Sequence, residues 1–248
     1  DKVTWVVRML PNLERNDVYD AWVAGNSANA KPYLPLLVCP TSPPDSTSSP
    51  YIGYAANVGT TTVVSSVQKK GDGVLVDSIA GTHNAATMNL DYLTGNDGTS
   101  TTLLFAEKNG ASAALGLWNV AVINVTSSTG GTLLRTITPT DVWRPLPVFG
   151  HLHDPVNSIA AGTTYSGNPI NTGSASVYPS SNHPGGAIFC FADGHTRFIG
   201  DATQGYVYGQ LLSSDTGNQS PAMGLLTGDS DGDGTFDAQY FLSEGDLL

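Results

Sequence analysis

Short runs of strand-forming residues, broken by clusters of Gly, Asn, Asp and Ser, set the pattern from residue 51 onward. The runs span residues 51–57, 60–67, 73–79, 101–108, 117–125, 133–139, 187–192 and 195–200. Residues 3–9, "VTWVVRM", alternate weakly and read as a further strand. Residues 10–22 read as a short helix, with Pro11 in its first turn, Glu14 toward its positive end, and Leu10, Leu13 and Trp22 on one face. Residues 201–214 predict a second short helix capped by Asp201. Residues 31–50 carry too many prolines for regular structure and predict an ordered connection, and residues 150–183 a long surface excursion. The pattern as a whole predicts an α+β fold, predominantly antiparallel β, with one or two short helices and long loops.

The stretch "SSNHPGGAIFCFADGHTRFIG", residues 180–200, predicts a hairpin. Asp193-Gly194 suits a two-residue turn in which both positions accept positive φ. Ala187, Phe189 and Phe191 share one face, and Ile188, Cys190 and Ala192 the other. Both faces are apolar, which predicts a central strand buried on both sides, with Cys190 turned into a core or toward Cys39. His183 lies at the opposite end of that strand from Asp193, about 25–30 Å away at ~3.3 Å per residue. The two are therefore not expected to share a metal. His183 reads as a histidine that hydrogen-bonds a neighbouring loop and fixes the start of the strand.

Composition sharpens this picture. Only 12% of the 248 residues are charged, and the formal net charge is −11 with 10 Lys+Arg. Binding to nucleic acid or to anionic lipid needs a basic surface, so neither is an expected partner. No apolar run reaches the roughly 18 residues that span a bilayer. The chain opens on Asp1 with a sequence that reads as the inside of a domain, which points to a processed or truncated form. Cys39 and Cys190 permit a disulfide, the alternative being two separate buried thiols.

Near the C-terminus, "GDSDGDGTFD" spaces its carboxylates for a hard cation. Asp229, Asp231 and Asp233 fall at positions one, three and five of an EF-hand-type loop, Gly234 at six, Thr235 at seven and Asp237 at nine. Alternate carboxylates at this spacing converge on calcium, and the glycine permits the sharp turn. Position twelve is Tyr240 where such loops carry a bidentate glutamate, so the expected affinity is in the extracellular range of roughly 10⁻⁴–10⁻³ M. The division predicted is a β-rich head over residues 1–226 and an acidic, calcium-binding tail over residues 227–248.

Enzyme chemistry has one weak candidate. His151, His153 and Asp154 in "FGHLHDP" form an H-x-H pair with a carboxylate to orient one imidazole, in a region that reads as loop. No glycine-rich loop runs from a strand into a helix in the phosphate-binding manner. A non-catalytic protein is expected. Trp118 and Trp143 offer stacking faces for a carbohydrate, Trp118 being the one that reads as core.

Five segments, in order, carry a resemblance. They are "WVVRMLPNLERNDVYDAW", "LLVCPTSP", "YIGYAANVG", "NDGTSTTLLFAEKNG" and "NHPGGAIFCFADGHTRFI". The last resembles the H-X9-DG signature of a bacterial prepilin-type, processing-associated family of unknown biochemical function. The matching positions are His183, Gly185, Gly186, Asp193 and Gly194. The fourth keeps Asp97, Gly98, Thr99, Ser100 and Glu107 of the family's aspartate-glycine to glutamate segment. His195 replaces the small residue that usually follows Asp-Gly. The resemblance implies a pilin-like or pseudopilin-like head, preceded in the family by a long apolar helix absent from this sequence. It implies other pilin-like subunits as partners, in a type IV pilus-like or type II secretion-like filament. It further implies an extracellular or periplasmic head, anchored in the inner membrane before assembly only through that helix, with calcium as the stabilising ion.

Overall fold

The computed structural model describes residues 4–25, 31–62, 71, 73–75, 88–108, 116–118, 148–153, 179–203 and 205–215. The fold is α+β with a predominantly antiparallel sheet. Among the described residues, four short α-helices, α1 (Trp5–Met9), α2 (Asn16–Val23), α3 (Leu90–Gly95) and α4 (Gly205–Leu212), accompany seven strands. The strands are β1 (Tyr51–Ile52), β2 (Tyr54–Thr62), β3 (Leu103–Glu107), β4 (Gly116–Leu117), β5 (Val148–His153), β6 (Gly186–Phe191) and β7 (Thr196–Gly200). Five of them form one sheet in the order β5-β2-β3-β6-β7, antiparallel except where β5 runs parallel to β2. The other two make a small antiparallel pair.

The first segment departs from its predicted state. Residues 5–9 are helix, although Val and Trp favour strands. The Thr4 hydroxyl accepts a hydrogen bond from Val7 N–H and caps the turn, while Val6 and Val7 are buried. Tertiary burial outweighs the small intrinsic preference. The helix predicted over residues 10–22 is divided: Leu10–Leu13 is a 3₁₀ turn with Pro11 at its start, and Glu14 takes φ 58° before α2 begins. Glu14 therefore ends a turn, and Asp17 supplies the acidic group in the first turn of α2. Leu10 is buried, with Leu13 and Trp22 packed beside it. Helix α4 starts at Gly205, well beyond Asp201, whose N–H instead bonds the Gly185 carbonyl. Neither α3 nor β5 was expected. Residues 73–75 are a bend and not strand.

Two cores result. The first lies between one sheet face and α4, and contains Leu103, Phe149, Phe189, Phe191, Tyr208 and Leu211. The second gathers Val6, Val7, Leu10, Leu34, Ile52 and Trp118 under the N-terminal helices. Trp118 is fully buried, and its indole N–H bonds the Pro32 carbonyl, so it offers no stacking face to a ligand. Trp5 reaches the opposite sheet face and packs against Phe105, the ring centroids 4.8 Å apart and the planes tilted by 44°. Strand β6 has the predicted division of faces but not the predicted burial on both. Phe189 and Phe191 are inaccessible, while Ile188 is 39% exposed and Cys190 half-buried. Among the described residues, α1 through Trp5 and the proline-rich connection through Cys39 approach part of this second face.

Asn57 fastens these layers together. It is fully buried on β2. Its amide N–H₂ donates to the Leu103 carbonyl at 2.7 Å and the Leu212 carbonyl at 2.8 Å. Its side-chain oxygen accepts from Gly59 N–H at 2.7 Å, where Gly59 takes φ 72°. One side chain thus joins β2, β3 and the end of α4.

Candidate functional site

Three chain segments meet on the partly covered sheet face. Glu107 ends β3, directly opposite Tyr54 on β2. Cys39 lies in the proline-rich connection after a 3₁₀ turn over Pro35–Leu37. His183 sits just ahead of β6. Its backbone N–H bonds the Ser181 hydroxyl, which in turn donates to the Gly186 carbonyl at 2.6 Å. Asn182 reaches the Thr41 carbonyl and ties this loop to the one bearing Cys39.

The side chains converge. His183 Nε2 is 3.3 Å from Glu107 Oε1 and 4.0 Å from Cys39 Sγ. Thr41 Oγ1 stands 3.1 Å from the sulfur and 3.5 Å from the same imidazole nitrogen. The second carboxylate oxygen, Glu107 Oε2, accepts from Ile188 N–H at 2.9 Å. Glu107 and Cys39 are buried, and His183 keeps 26% of its side chain exposed. A thiol, a carboxylate and an imidazole each present one donor atom, and the three atoms lie within 4.8 Å of one another. Burial raises the Tyr54 phenol pKa, and the charges of Cys39 and Glu107 raise it further. Beside the cluster, burial pushes Lys108 down to about 7.

The glycines after His183 are set by geometry. Gly185 has φ 78°, which side chains other than glycine rarely adopt. A Cβ on Gly186 would stand 2.2 Å from the Ile199 carbonyl oxygen of paired β7. The pair lets the chain turn sharply from His183 into the sheet.

The far end of β6 is a separate structure. Asp193-Gly194 belongs to a three-residue hairpin loop and not a two-residue one. Phe191 N–H bonds the His195 carbonyl, Gly194 N–H bonds the Phe191 carbonyl, and only Gly194 has positive φ (91°). Asp193 Oδ1 accepts from His195 N–H at 3.0 Å and pairs with His195 Nδ1 at 2.6 Å. Those bonds hold the Asp193 carboxyl below the usual aspartate range. His195 stacks on Phe191 at 4.3 Å. The tip docks through Asp193 N–H on the Thr99 carbonyl and Ala192 N–H on the Thr102 carbonyl. The Asp97–Thr102 segment and the hairpin tip thus close on one another.

His183 and Asp193 thus serve different clusters, as the strand length between them implied. His183 bonds a neighbouring loop as expected, but it also faces Cys39 and Glu107, which the sequence reading did not bring to it. Both cysteines are free thiols. The disulfide entertained between Cys39 and Cys190 is not formed: the Cys39 sulfur faces Thr41 and His183, while the Cys190 thiol bonds the Phe191 carbonyl. His151 and His153 lie on β5 and not in a loop, and Asp154 and Trp143 fall outside the described residues. The calcium-type loop, Asp229, Asp231, Asp233, Thr235 and Asp237, also lies outside them.

One signal for the Cys39–Glu107–His183 cluster was present. Each member stands in a different segment of the five that carry the family resemblance. No curated protein and no solved structure matches the chain. A sequence family matches residues 1–205, described as a protein of unknown function (DUF1559) and associated with prepilin-like proteins bearing H-X9-DG. With most of its length matched, from the N-terminal helices through the His183–Gly194 hairpin, the chain belongs to this family.

Proposed function

We propose that the chain is the β-rich head of a pilin-like structural subunit, borne on a type IV pilus-like or type II secretion-like filament. The observation that carries this reading is what the family segments do in the fold. Asn57 joins two strands and a helix, the Asp97–Thr102 loop receives the hairpin tip, and Gly186 admits β7 against β6. These positions build a rigid scaffold, as a subunit that presents a surface and packs against copies of itself requires. Its partners are other pilin-like subunits, and its place is the periplasm or cell surface. Calcium at Asp229, Asp231, Asp233, Thr235 and Asp237 orders the acidic tail; support for this is the carboxylate spacing alone.

The test is the mature N-terminus of the native protein, measured by mass spectrometry on membrane and sheared-surface fractions. A terminus immediately ahead of a long apolar helix, N-methylated, supports the filament reading. A terminus left by ordinary signal peptidase, with no such helix, overturns it.

A further inference from the structure

We propose that Cys39, Glu107 and His183 form a binding site for a single borderline-soft divalent cation of the zinc type. The argument begins with the imidazole. Glu107 Oε1 and Cys39 Sγ both address the same ring nitrogen, Nε2. In a catalytic triad the thiol and the carboxylate engage opposite ring nitrogens, one giving up its proton and the other orienting the ring. Here both partners converge on the single nitrogen Nε2, which can hydrogen-bond only one of them at a time. A cation at the common focus satisfies all three donors at once.

The spacing fits. Around a tetrahedral zinc with bonds of about 2.0–2.3 Å, nitrogen and oxygen ligands stand about 3.4 Å apart and nitrogen and sulfur about 3.6 Å. The structure has 3.3 Å and 4.0 Å. The charges fit too. Binding releases the Cys39 proton to solvent, and a thiolate with a carboxylate neutralises a divalent ion in a buried place. The surroundings orient the ligands. Ile188 N–H holds Glu107 Oε2 and leaves Oε1 to bind alone, and Thr41 Oγ1 is placed to hydrogen-bond the thiolate. The exposed part of His183 leaves a path for the ion and a fourth position for water. A thiolate with an imidazole selects zinc, cobalt or a similar metal over calcium. This site is therefore distinct in chemistry from the calcium-type tail, and it stands whether or not the protein assembles into filaments.

The experiment uses the full 248-residue chain, stripped with chelator and titrated with cobalt(II), then with zinc(II) against a chromogenic competitor. The expected result is one cobalt per chain with a sulfur-to-cobalt charge-transfer band, displaced by zinc and unchanged in millimolar calcium. Cys39→Ser abolishes the band, and Cys190→Ser leaves it intact. Glu107→Gln and His183→Ala each weaken zinc binding by at least about 10-fold. Glu107→Gln keeps an oxygen for Ile188 N–H, so an unchanged circular dichroism spectrum separates lost ligation from lost fold. Absence of binding to the wild-type chain overturns the proposal and leaves only a contact between His183 and Glu107. A band that survives Cys39→Ser, or is lost in Cys190→Ser, also overturns it.

Discussion

Replacing Asn57 by alanine tests whether one side chain holds the sheet to α4. The substitution strips three backbone groups of their partners: the Leu103 and Leu212 carbonyls and Gly59 N–H. The site is inaccessible to water, so no solvent replaces them. A carbonyl that loses one donor forfeits about 0.5–1.5 kcal/mol, and a buried N–H left without an acceptor costs about 1–3 kcal/mol. The sum centres on about 4 kcal/mol, a large share of the roughly 5–15 kcal/mol that holds a domain folded. At about 2–4 °C per kcal/mol for a chain of this size, the melting temperature falls by about 8–16 °C. Asn57→Asp is the informative control. It keeps the acceptor for Gly59 but turns an anionic oxygen toward two carbonyls, so it is expected to be at least as damaging as alanine. Urea unfolding followed by tryptophan fluorescence gives both values. A loss below about 1 kcal/mol for Asn57→Ala, or wild-type stability for Asn57→Asp, refutes the reasoning.

Gly186→Ala is expected to destabilise more than Gly185→Ala, because the first drives a methyl into the Ile199 carbonyl while the second meets open space and costs only the roughly 1–2 kcal/mol of a left-handed backbone; equal losses in thermal melts would contradict the assigned packing. Lys108 supplies a pH dependence. Its pKa is about 7 in the fold against about 10.4 unfolded, so between these values the unfolded chain binds the extra proton and stability rises with pH. Lys108→Met should flatten that rise, as read from denaturant midpoints across pH 6–10. Millimolar calcium should raise the melting temperature of the wild-type chain, and Asp231→Asn should abolish the increase; equal melting with and without calcium counts against the tail's cation site.

Much of the sheet was legible in the sequence. Strands β3, β6 and β7 fall within expected runs, whereas β2 joins parts of two runs, 51–57 and 60–67, across Val58-Gly59, and the alternation along β6 grouped its two faces correctly without telling which is buried. That pattern is local, since side chains alternate by the geometry of the strand itself. Other elements depended on distant partners. Residues 5–9 carry strand-forming side chains, yet Thr4 and the pocket under Trp118 make them helical; the Thr4 hydroxyl donates to the Trp118 carbonyl across 114 positions. The exposure of Ile188 was equally hidden, because coverage of a face belongs to the neighbouring elements and not to the strand. The same limit applies to the candidate site. Sequence supplied a cysteine, a glutamate and a histidine in three separate segments, and with them the donor chemistry. Cys39 and His183 are 144 positions apart, and only the pairing of β2, β3 and β6 places their donor atoms beside Glu107. Residue type determined what the cluster can bind, whereas strand register and the path of the proline-rich connection decided that it is a cluster at all.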